Sequence, residues 1–366
     1  MMSRSKIRRG AGLMVAAIML CGSATPSEAQ DTTSVPVIEN AVTGFILPAY
    51  QRFSDKAGAL HDTIDALCTA PSAQALSAAH EGFGDIVTAW SAVSIARIGP
   101  ILEKNRLERL LFWPDRRGIG LRQVQALLAK QDASATDPES LAGKSVAVQG
   151  LAALEFALFG KGHETLAQIP DGFRCRFARA ISTNVDSIAS DLLMEWQAPD
   201  GFADKWQHPG PDNMLYRDEK ESLSALTSLF ANQLEYFEAV EIGAFLGVTP
   251  DKDNPRRALF RRSGNTLLLL QAGFSDFKEL YEKSKLTDEL ADEFKWIDTS
   301  IQFSFRHGTG TLNSLSGTVA DILGDPKTRS KMAYVRTVAR GLSGNFGVEV
   351  TGALGLTSNF SSLDGD

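Results

Sequence analysis

The sequence predicts an all-α fold built from packed helical bundles. Three observations predict it. Nearly every long segment carries apolar residues three and four apart, the signature of one buried helix face. Runs of alternating apolar and polar residues are scarce, and no series of short strands recurs at regular spacing. The 366 residues, 43% apolar and 22% charged, suit a globular protein of two ordinary domains. The formal net charge of -7 argues against nonspecific nucleic-acid binding, which needs a basic surface to release counterions.

The chain opens with an expected leader over residues 1–29. Arg4, Lys6, Arg8 and Arg9 form a basic start, and "GLMVAAIMLCG" is a short apolar core. Small residues at Ser27 and Ala29 predict cleavage between Ala29 and Gln30. The apolar run is about half of the ~20 residues that a spanning helix needs. No later segment reaches that length without a charge, so no transmembrane span is expected in the mature chain. Export to the periplasm or cell envelope follows. Leu20 stands before Cys21 where lipoprotein leaders want a small residue, which argues against a lipid anchor.

Helices are then expected over 37–67, from a Ser72 cap through Trp90, and over 101–112, 119–130 and 140–159. Others are expected over 171–196, 217–246, 255–283, 287–306 and 327–343. The second is typical: Ala79, Phe83, Ile86 and Trp90 share a face. Polar "QDASATDPES" (131–140) breaks the pattern. So does 197–216, with three prolines and two glycines, which marks the expected boundary between an N-terminal bundle (30–200) and a C-terminal bundle (201–366). The Gly-rich tail carries Phe346, Leu354, Leu356 and Phe360, so it is expected to pack back on the body.

Two cysteines remain after the leader, Cys68 and Cys175. An even pair in an oxidising compartment suggests a disulfide. Two buried thiols on separate helices are the alternative.

Glu155 lies in the almost wholly apolar "VAVQGLAALEFALFG" (146–160). A lone ionised carboxylate there costs several kcal/mol unless paired, so it needs an arginine, a metal or a proton. Nearby, "RLERLLFWPDRRG" (106–118) gathers Arg106, Arg109, Arg116 and Arg117 around Phe112 and Trp113. Pro114 is expected to end that helix and Asp115 to cap the next. Guanidinium groups could supply the partner of Glu155 or bind an anion. A helix end with a solvated basic rim is the plainer reading. Glu235, Glu238 and Glu241 recur every three residues and could offer oxygens to a hard cation, as could any solvated acidic face. No histidine pair has HExxH spacing, and there is no GxSxG and no Gly-rich phosphate loop.

Together these stretches resemble the imelysin-like family of bacterial envelope proteins. The resemblance spans essentially the whole mature chain. It is carried by "AWSAVSIARIGP" (89–100), "NRLERLLFWPDRRGIGLRQV" (105–124), "SVAVQGLAALEFALFG" (145–160), "RCRFARAISTN" (174–184) and "NFSSLDGD" (359–366). It implies two packed helical bundles, a periplasmic or surface location and a link to iron uptake. The family was named for a proposed metallopeptidase activity and carries a GxHxxE motif. Here Gly150 and Glu155 match, but Ala152 stands in the histidine position. Histidine and glutamate three apart on a helix can share one metal; alanine supplies no ligand.

The expected function is noncatalytic: binding of iron, another divalent metal, a metal complex or a small ligand in iron acquisition. Glu155 leads the candidate residues, with Trp113, Asp115, Arg116 and Arg106 lining or bracing the site. The alternatives are a metallopeptidase with a non-standard metal site, and a structural protein that docks an envelope partner of an iron-uptake system.

Overall fold

The computed structural model describes residues 35–356. The expected leader, its Ala29–Gln30 junction, Phe360 and the terminal "NFSSLDGD" lie outside the described residues. Among the described residues there is no strand.

The N-terminal half is organised by three long helices: α1 (Leu47–Thr69), α2 (Ala73–Ile95) and a later one that packs along α1. Ser72 caps α2, its Oγ accepting from the Ala75 N–H at 3.0 Å. The face bearing Ala79, Phe83, Ile86 and Trp90 is buried. Trp90 meets Phe53 of α1 at 5.6 Å between ring centres. Burying each such aromatic side chain contributes roughly 1.5–3 kcal/mol.

The expected helix over 101–112 is broken. A 3-10 turn (Gly99–Leu102) gives way to the short α3 (Arg106–Leu110), because Lys104 and Asn105 adopt left-handed backbone. The Trp113–Pro114 peptide is cis. Next, α4 (Ile119–Lys130) begins under the Asp115 carboxylate, which accepts from Ile119 N–H at 2.7 Å and Leu121 N–H at 3.2 Å.

The expected helix over 140–159 is also divided. A short helix (Pro138–Ala142) and a 3-10 turn (Val146–Val148) precede α5 (Leu151–Phe159). The Gln149 carboxamide donates to the Ala142 and Lys144 carbonyls and folds the segment back on itself. Gly150 then passes so near α3 that a Cβ would fall 2.3 Å from the Leu110 carbonyl oxygen. That close approach explains the motif glycine.

The third long helix, α6 (Phe173–Gln197), packs on α1 and α5. Cys175 at its start forms a disulfide with Cys68 at the end of α1, with Cα atoms 5.5 Å apart. Closing a loop of 107 residues is worth up to ~4.7 kcal/mol on the chain-entropy model. The proline-rich stretch after α6 carries a short helix (Phe202–Gln207) and buries Trp206.

The C-terminal half packs α7 (Glu219–Glu235), α8 (Thr266–Ser284), α9 (Lys295–Asn313) and α10 (Pro326–Gly344). A π turn (Tyr236–Ile242) extends α7, and another (Asn345–Val350) extends α10 into the tail. Phe346 of the tail is buried and stacks on Phe230 at 4.3 Å. The expected helix start at residue 255 is displaced to Thr266. The Asp253 side chain accepts from Gly247 N–H and from Arg329, which holds residues 247–253 in a loop. The two halves meet where α8 packs along α2.

Candidate functional site

The irregular segment "NPRRALFRRSGN" (254–265) lies against the motif helix α5. Glu155 Oε1 accepts the Arg262 N–H at 2.8 Å, the Ser263 N–H at 3.0 Å and the Ser263 hydroxyl at 3.2 Å. The Arg262 guanidinium stands 3.5 Å from Oε2. Glu155 itself is only 3% exposed. Backbone donors around a carboxylate satisfy the charge that the apolar helix cannot.

A cavity of about 410 Å³ opens beside this junction. Its walls come from the turn before α4, from α5, from the π turn after α7 and from residues 256–262. Trp113, Asp115, Arg116, Ala152 and Glu155 all line it. Four of the five sequence-selected candidates therefore meet at one cavity.

Arg106 is the exception and corrects the expectation. It is 4% exposed and points away from the cavity, donating to both Glu195 carboxylate oxygens and to the Pro100 carbonyl. This bidentate pair holds the Glu195 carboxyl below its usual range and raises the Arg106 guanidinium. Arg109 is likewise occupied, by Gln149 and by Asn184 at 2.7 Å. The partner of Glu155 is instead a turn more than a hundred residues away. Its cue in the sequence was the run of four arginines between the breakers Asn254-Pro255 and Ser263-Gly264.

The acidic series does not form an oxygen cluster. Glu238 turns to Arg336 and Arg340, at 3.0–3.1 Å. Glu241 is half-buried near Arg97, and desolvation pushes its carboxyl up to about 7. Among the described residues, no group of three or more His, Cys, Asp and Glu side chains is placed to hold a metal ion.

The cavity does not suit a bare metal. Ala152 offers no donor atom, Glu155 Oε1 is engaged by three donors, and Asp115 caps α4. Histidines lie elsewhere: His61 contacts Ser182, and His80 contacts the Leu158 carbonyl.

Comparison with known proteins agrees with the architecture. The imelysin family model matches residues 46–342. The fold is similar to that of an imelysin-like protein from Psychrobacter arcticum 273-4, with a TM-score of 0.71 at 17% identity, covering 88% of this chain and 96% of that one. It is also similar to a proposed iron-regulated protein A precursor from Parabacteroides distasonis ATCC 8503, with a TM-score of 0.67 at 15% identity, covering 89% and 97%. No curated protein matches the sequence. The all-helical fold and the match across most of its length place this chain in the imelysin family.

Proposed function

We propose that this chain is a noncatalytic envelope protein of the imelysin family that holds a small ligand or metal complex in the Glu155 cavity and serves iron acquisition. One observation carries the reading. The motif helix forms a wall of a cavity large enough for a small molecule, yet its metal-binding histidine is replaced by Ala152. Iron is cargo in this reading. Export rests on the expected leader, and the iron-regulated neighbour supports the role. No helix among the described residues is long and apolar enough to cross a membrane. We read residues 30–200 and 201–366 as the two bundles whose packing forms the cavity. An envelope partner of an uptake system would receive or deliver the ligand.

The test is metal analysis of the purified protein with calorimetric titration of ferrous iron, ferric iron and ferric citrate. Glu155→Gln and Ala152→Leu, which fills the cavity, are measured beside it. Binding that weakens in both variants supports the reading. Binding that neither variant changes, or chelator-sensitive proteolysis lost in Glu155→Gln, overturns it.

A further inference from the structure

The charges around the cavity do not balance. Arg116, Arg256, Arg257, Arg261 and Arg262 line it, against only Asp115 and Glu155. Glu155 is held by Arg262 and Ser263, and Asp115 by the amides of α4. Among the described residues, no carboxylate pairs with Arg116, Arg256, Arg257 or Arg261. These four arginines form an exposed rim, while Phe156, Leu259 and Phe260 are buried within the wall. The Trp113 side chain adds a further ring at the cavity, and Arg262 lies 5.2 Å over the Phe156 ring. Partial desolvation, then the neighbouring charge of Arg262, lower the pKa of Arg261 despite the opposing pull of Glu155, and Arg256 adds to the lowering, so these cations repel one another.

We propose that the cavity is an anion site whose ligand is an organic anion with a flat apolar body. Its acidic oxygens meet the arginine rim and its body rests on the aromatic wall. Guanidinium forks match carboxylate and phosphate oxygens in pairs, and an aromatic wall suits a planar ligand better than a bare inorganic ion. Such a ligand can also carry iron, since an anionic chelate keeps its outer oxygens. The inference deepens the ligand-binding reading above and rests on it.

The experiment is calorimetry on the full protein with matched probes: naphthalene-2-carboxylate and its uncharged twin naphthalene-2-carboxamide, with inorganic phosphate, citrate and ferric citrate beside them. The carboxylate is expected to bind about tenfold or more tighter than the carboxamide and to weaken with added salt. Arg257→Gln/Arg261→Gln is expected to lose about tenfold in affinity for the carboxylate with an unmoved Tm, while the exposed Arg117→Gln, outside the cavity, loses none. Tighter binding of ferric citrate than of citrate assigns the chelate, and the reverse assigns the free anion. Equal binding of carboxylate and carboxamide, abolished by Ala152→Leu, overturns the anion site and leaves the ligand cavity standing. Failure of every probe to bind the folded protein overturns the anion site, and insensitivity to the arginine pair does the same.

Discussion

Two glutamates, one in each half of the chain, are buried to nearly the same degree and are held in opposite ways. Glu155 is 3% exposed and Glu238 is 6% exposed. Glu238 takes its bonds from guanidinium groups, Arg336 and Arg340 on α10, which packs beside it in the C-terminal half. Glu155 takes two of its bonds from backbone amides of a segment 107 and 108 residues away, and it borders the cavity. The first is an ion pair that stiffens neighbouring helices. The second is a joint between distant parts of the chain. A buried carboxylate thus signals function less by its burial than by what lies open beside it.

The comparison can be broken most directly by deleting each carboxylate. Glu155→Ala and Glu238→Ala should each cost about 3 kcal/mol in denaturant unfolding, since each leaves donors unmatched. Ligand binding should disappear only in Glu155→Ala. Equal loss of binding in both would erase the distinction. Gly150→Ala should cost about 2 kcal/mol, because its Cβ would strike the Leu110 and Arg109 carbonyls and push α5 away from α3. Its ligand affinity should fall with its stability, whereas Gly341→Ala, with open space at its Cβ, should leave both unchanged.

Glu241 sharpens the contrast, because no guanidinium clamps it three residues beyond Glu238. Burial raises its carboxyl from 4.5 to about 7. The folded protein then holds this proton more tightly than the unfolded chain does. The contribution to stability is full below pH 4.5, is lost as pH rises toward 7, and is flat above that. Asp276, raised to about 6 by burial, adds a slope of the same sign. Glu241→Gln should stabilise the protein by on the order of 1–3 kcal/mol at pH 8 and reduce that slope, measured as Tm against pH. The smallest effect belongs to Arg340→Ala. Its side chain is 65% exposed, so the loss should stay under about 1 kcal/mol while Arg336 retains Glu238.

The sequence showed that Glu155 needed a partner but not which one. Two of its donors are main-chain N–H groups, which every non-proline residue carries, so the arginine run at 256–262 marked the neighbourhood without singling out the donors. The arginines near α3 looked available because Glu195 and Asn184, which occupy Arg106 and Arg109, lie far along the chain. Helix 119–130 was legible to its ends because Gly118 and Gln131 bracket a clean apolar face in left-handed backbone. Residues 255–265, expected as the start of the 255–283 helix, are irregular instead. The tethers that hold them, Asp253 with Arg329 and Glu155 with Ser263, are tertiary.

The grip of the Arg262–Ser263 turn on Glu155 makes the route back to the family motif longer than one codon. An Ala152→His protein would present an imidazole to the cavity, but its intended partner carboxylate would already be spoken for. A metal would have to displace the Arg262 guanidinium from Oε2, or prise Oε1 from three donors, before the pair could share it. Regaining that chemistry therefore calls for two changes, one to supply the ring and one to loosen the turn, and either alone should leave divalent-metal affinity where it began.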